Sequence, residues 1–133
     1  MFKIQKRVIY AIEAVLDIAL NAGANPVQNI TIAKRQGIPK RYLEQTLQIL
    51  VKNKILVASR GPRGGYRLAK ERRKIKILDI INSMSNKSES SESHKSELSK
   101  IIIEPLIEKF MQQCQNNLSK ISIEDIYYKY KKI

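Results

Sequence analysis

Lys40, Arg41, Glu44 and Gln45 stand close together in the chain. Arg60, Arg63 and Arg67 follow around the string Gly61-Pro62-Arg63-Gly64-Gly65. These side chains carry donors and acceptors that match base edges and phosphates: arginine and lysine suit guanine O6 and N7, glutamine suits adenine, and glutamate accepts from cytosine N4. The chain shows no paired-carboxylate, Ser-His-Asp or phosphate-loop pattern, so no enzyme is expected. Its single histidine, His94, lies among serines and glutamates. One imidazole without companion ligands is a poor metal site, so His94 is expected to be solvated and no metal is expected.

The elements that must position these residues run from 36 to 70. Leu43, Leu47 and Leu50, with Ile49, repeat at helical spacing, and Lys40, Arg41, Gln45 and Gln48 fall outside that stripe. Pro39 stands where a first-turn proline is tolerated, because the N–H it lacks would be unpaired there anyway. Ile55-Leu56-Val57 is strand-like, residues 61–65 form a turn, and Tyr66-Arg67-Leu68 leads back. Ahead of them, 25–29 reads as a loop and 31–36 as a short helix closed by Gly37. Helix, tight turn and helix make a helix-turn-helix, whose second helix enters the major groove by its N-terminal residues. A short hairpin tipped with arginines behind that helix is the pattern of a winged helix.

The segments RQGIPKRYLEQTL and SRGPRGGYRLAK resemble the DNA-binding core of the Rrf-two (Rrf2) family, the IscR/NsrR/CymR group of bacterial transcription regulators. The likeness runs from the opening YAIEAVLDIAL to the closing ISIEDI. The resemblance implies that Glu44 and Gln45 read bases. For Tyr42 it implies a phosphate contact, with packing on the first helix as the alternative; Leu43 is expected to pack. It also implies that Arg60 enters a minor groove, where A·T-rich sequence concentrates negative potential. Gly61 and Pro62 keep the hairpin tip slim, Arg63 stands where many relatives have glycine, and Arg67 points back along the hairpin toward phosphate at most. Cluster-binding members carry three cysteines in and just after residues 82–99. This chain has none there, and serine does not replace a thiolate, so it resembles a cluster-free branch and no iron–sulfur cofactor is expected. In the family a long C-terminal helix crosses its counterpart in a two-fold dimer. An effector, whether small molecule, reactive thiol or partner protein, stays open.

The bulk numbers agree with a polyanionic partner. The net charge is +13 over 133 residues, and its distribution is uneven: residues 1–80 hold 17 Lys and Arg against 5 Asp and Glu, residues 81–133 hold 8 against 7. The lone cysteine, Cys114, leaves no intrachain disulfide and suits a reducing cytosol. No apolar run is long enough for a membrane span, so a cytoplasmic, nucleoid-associated protein is expected.

The fold expected is mainly α with a small β-hairpin wing: a winged helix-turn-helix domain over 1–81, a flexible polar loop over 82–99, and a dimerisation helix with a C-terminal helix over 100–133. Residues 3–22 read as a helix with Ile9, Ile12, Leu16 and Ala19 on its buried face, Val8, Val15 and Leu20 widening it, and Gly23 stopping it. Lys3, Lys6 and Arg7 in its first turns either touch phosphates or are solvated. The basic run 69–76 is phosphate-facing or solvated, and 76–84 reads as helical. Ile103, Leu106, Ile107, Phe110, Cys114 and Leu118 form a stripe suited to the dimer, with Cys114 as a small buried hydrophobe. Pro105 must open or kink that helix. Ser122 caps a last helix, with Glu124 and Asp125 in its first turn and tyrosines packing back on the dimer helices. The expected function is sequence-specific DNA binding by a homodimer on a pseudo-palindromic operator, most simply as a repressor. A non-specific, nucleoid-like DNA binder is the alternative.

Overall fold

A computed structural model describes residues 4–85 and 96–133, so Lys3 and the stretch containing His94 lie outside the described residues. Six α-helices and one hairpin follow in order: α1 (Lys6–Asn21), α2 (Asn29–Gln36), α3 (Lys40–Lys52), β1 (Leu56–Ser59), β2 (Gly65–Leu68), a 3₁₀ turn (Arg72–Lys74), α4 (Ile77–Met84), α5 (Glu104–Ser119) and α6 (Ile123–Lys131). The architecture is mainly helical with a two-stranded antiparallel wing, as expected.

Helix α1 is the hub, packing on α2, α3, α4, α6 and β2. Its buried face overlaps the one the spacing suggested only at Val15. Ala11, Ala14, Val15 and Ile18 are buried, whereas Ile9 is exposed and Ile12, Leu16 and Ala19 are half-buried. Apolar residues run nearly all round α1, so periodicity alone could not select the inward ridge, and the small Ala11 and Ala14 let neighbouring helices approach closely. Gly23 does not end α1 through a left-handed turn either. Ala22 leaves the helix in extended conformation instead, its N–H bonded to the Ile18 carbonyl.

The remaining helices meet α1 through Ile32 of α2, Leu43, Leu47 and Leu50 of α3, Ile77, Ile80 and Met84 of α4, and Ile123 of α6. Gly37 does close α2, at φ 66°, where a residue without Cβ is unstrained. The turn after α3 has no glycine. Lys54 takes the left-handed position at φ 63°, and the Lys54 and Ile55 N–H groups bond back to the Val51 and Leu50 carbonyls. That is a Schellman closure made by a lysine.

Beyond the packing of α6 on α1 and of Ile123 in the core, two polar contacts tie the C-terminal half to the domain. Ile77 N–H donates to the Ile121 carbonyl and Ile123 N–H to the Ile75 carbonyl, which stitches the start of α6 to the strand-like entry of α4. Arg72 lies 3.8 Å over the Tyr127 ring. Tyr127 therefore packs on the 3₁₀ turn rather than on α5, and Tyr128 and Tyr130 are exposed. The basic run is partly spent inside the fold: Arg72 pairs with Glu124 and Arg73 with Glu71.

Pro105 stands in the first turn of α5, where a missing N–H is tolerated, so it opens that helix as expected, but other helical turns lead into it. Helix is present from 97 onward, widens to a π-turn over Ser99–Ile103, and continues as α5. Proline cannot donate to the carbonyl four residues back, and a widened turn just before it accommodates the missing bond. Helix α4 extends to Met84, so both ends of the stretch expected to be a polar loop are helical; residues 86–95 lie outside the described residues.

Candidate nucleic-acid interface

Leu43, Thr46, Leu47 and Leu50 bury one side of α3. This turns Lys40, Arg41, Tyr42, Glu44, Gln45 and Gln48 outward, all exposed. Tyr42, at 56% exposure, does not pack on α1, which removes the structural alternative for it. No side chain caps the start of α3, so its first-turn N–H groups remain available to an anion.

The wing presents Arg60, Gly61, Pro62 and Arg63 on an exposed tip. Two glycines below the tip are sterically required. A Cβ at Gly64 would meet the Ser59 carbonyl oxygen at 2.3 Å, and one at Gly65, whose φ is 149°, would meet the Val27 carbonyl oxygen at 2.5 Å. The second contact reflects a pairing that sequence reading missed. Val27, assigned to a loop, exchanges two backbone hydrogen bonds with Tyr66 at 3.0 and 2.8 Å, so a third short strand segment backs the hairpin. A bridge one residue long leaves no alternating pattern to detect.

Arg67 sits where it braces this arrangement. Its guanidinium donates to the carbonyls of Gly23 and Ala24, which fastens β2 to the loop after α1. Arg7 is similarly engaged with the Met84 carbonyl at the end of α4, a favourable place for a cation. Neither side chain is held out toward solvent as the wing-tip arginines are.

A polar contact buried between α1 and α2 was not recognised from sequence. Asp17, whose side chain is fully buried, accepts from Arg35 Nε (2.9 Å) and Nη2 (2.8 Å) and from Gln36 Nε2 (2.8 Å). The bond to Asp17 holds the Arg35 guanidinium above its ordinary pKa, so it stays charged. This fork locks α1 to the end of α2 and fixes the angle of the helix-turn-helix. The available signal was a carboxylate inside the apolar stripe of α1, a position that demands a buried partner.

A winged helix-turn-helix with its polar helix end and arginine-tipped wing on the outside can be compared with known proteins. The family model described as "Iron-dependent Transcriptional regulator", Rrf2, matches residues 4–129. The chain belongs to the Rrf2 family of transcriptional regulators. The chain is 44% identical over 75 residues to the HTH-type transcriptional regulator IscR of Escherichia coli, a match covering 56% of this chain and 46% of the relative. The chain thus spans a little under half the length of the curated relatives it matches. Among solved structures, the IscR of T. potens superposes with a TM-score of 0.80 at 31% identity, over 97% of this chain and 88% of that one. CymR, the global cysteine regulator of B. subtilis, does so with a TM-score of 0.73 at 25% identity, over 96% and 98%. These Rrf2 relatives are regulators rather than enzymes.

Proposed function

We propose that this Rrf2 protein is a homodimeric, sequence-specific DNA-binding repressor that acts on a pseudo-palindromic operator. The observation that carries the reading is the joint exposure of the α3 start and the Arg60–Arg63 tip on a rigidly braced frame, in the half of the chain that holds nearly all of the excess positive charge. Glu44 and Gln45 read bases in the major groove, Lys40, Arg41, Tyr42 and Gln48 contact its edge and phosphates, and Arg60 enters the adjoining minor groove. Arg63 adds a second cation at the tip. Arg67 contributes chiefly by holding the wing.

Dimerisation would come from α5. No residue of this helix is buried; Ile103 at the end of the π-turn and Ile107 and Phe110 in α5 are exposed by 45, 49 and 43% on one chain. Cys114 and Leu118, half-buried, continue the same face. A patch of this kind on a small domain marks an interaction surface. Two-fold pairing places two recognition helices about one turn of duplex apart, ~34 Å.

We further propose that no iron–sulfur cluster is resident. Such clusters are held by thiolates. The chain supplies one, Cys114 on α5, and among the described residues no three His, Cys, Asp or Glu side chains converge. The residues present do not fit the group. Any effector would be a partner protein or small molecule, and the protein would work in the cytoplasm on chromosomal DNA.

A footprint on the DNA flanking the protein's own coding sequence tests the reading. A bounded, symmetric protected site supports it; uniform protection would indicate a non-specific, nucleoid-like binder. Arg60→Ala or Gln45→Ala is expected to cost about 1–3 kcal/mol on the protected site and less on random duplex. Equal losses on both would remove the readout assignment. Protein purified without oxygen is expected to be colourless; a brown sample with bound iron would refute the cluster-free proposal.

A further inference from the structure

Gln28 and Asn29, at the start of α2, touch both reading elements. Gln28 Nε2 donates to the Pro62 carbonyl at the wing tip, and Asn29 Nδ2 donates to Glu44 Oε1 on α3, each at 3.4 Å. The two residues line one shallow groove with Gln48, Arg60 and Tyr66. Asn29 was expected to belong to a loop; it is the first residue of α2.

We propose that Asn29 is a positioning residue for Glu44 and so sets the base preference at the step Glu44 faces. This rests on the proposed role of Glu44 in DNA reading. An exposed glutamate samples many rotamers, and ordering it on DNA costs conformational entropy. It also carries a negative charge toward phosphates, so it favours binding only where a base donor meets it. Lys40 and Arg41 lie one turn earlier on the same face and could take the carboxylate. The structure pairs Glu44 with the neutral amide of Asn29 instead, which leaves both cations to the DNA backbone. With Oε1 engaged by Asn29, Oε2 remains as an acceptor, and a cytosine N4 amine is a donor suited to it. At 3.4 Å the contact is long for a hydrogen bond, so it steers the carboxylate rather than locking it.

The test is selection from a duplex library randomised across the half-site, read by sequencing, on full-length wild type, Asn29→Ala, Asn29→Gln, Glu44→Ala and the Asn29→Ala/Glu44→Ala double variant. Glu44→Ala is expected to erase the preference at one position. Asn29→Ala should weaken it there by roughly two- to threefold, the low end of what one hydrogen bond contributes. Preferences elsewhere and the melting temperature should stay unchanged. Asn29→Gln, which keeps an amide donor, should recover part of the loss, and the double variant should match Glu44→Ala alone. A uniform loss across all sequences, or an Asn29→Ala effect that persists without Glu44, would overturn the positioning role. Enrichment at other positions with none at the Glu44 step would overturn it while leaving the DNA-reading function standing. No enrichment by the wild type would overturn both.

Discussion

The carboxylate of Asp17 is out of water, and all of its hydrogen bonds come from Arg35 and Gln36. Removing it leaves Arg35 without its partner and opens a gap between α1 and α2. Asp17→Ala should therefore lower stability by about 2–4 kcal/mol, toward the low end of a buried pair because Arg35 is partly solvated. A shifted urea midpoint with an unchanged slope checks it. Gly65→Ala acts differently. The added methyl would collide with the Val27 carbonyl, so the third wing segment must move, at about 1–3 kcal/mol. Helical circular dichroism should persist while affinity for specific DNA falls. Of these two residues, Gly65 was visible in the sequence as a turn glycine, but its reason was not. The reason is Val27, far away in sequence and unmarked by any pattern. Asp17 was legible as a charge in an apolar stripe, whereas its partner could have been any cation that the fold brought near.

Elements differed in legibility for a physical reason. Helix α3 has one apolar face and one polar face, so its leucine spacing alone assigns both the core side and the reading side. Helix α1 is apolar almost all round, and only its neighbours decide which ridge is inward. Closure of α3 by Lys54 in a left-handed conformation is a local conflict between residue type and backbone. Lys54→Gly should relieve it and raise stability by about 1 kcal/mol, seen as a higher melting temperature. Helix α6 offers a pH prediction. Asp125 accepts from the Ser122 N–H at 2.9 Å, and Ser122 Oγ accepts from the Asp125 N–H at 3.1 Å. The bonds to Ser122 hold the Asp125 carboxyl below its ordinary pKa. Its folded value is thus the lower one, and its contribution is fully present above the ordinary aspartate range. That contribution is lost as pH falls through the depressed value. Acid should loosen α6 in that window, and Asp125→Asn should flatten this part of the stability profile, measured by denaturation across acidic pH.

At the scale of the whole molecule, the charge sits in one half of the chain and the uncovered apolar helix in the other. This division suits an assembly that doubles a weak single contact. Each phosphate neutralised contributes roughly −0.9 to the slope of log affinity against log salt, so the slope counts contacts independently of affinity. A dimer bound to both half-sites should show about twice the slope of a single subunit. Ile107→Asp places a charge in the middle of the exposed α5 face and should give a folded monomer by light scattering. Its domain core should keep most of its stability, because Ile107 is exposed and Leu118, at the far end of α5, is the α5 residue packed on the core. On DNA, that variant should lose affinity and show about half the wild-type salt slope. A monomeric variant that keeps the full slope would mean that one subunit already makes every phosphate contact, and that the apolar face serves some purpose other than pairing two reading heads.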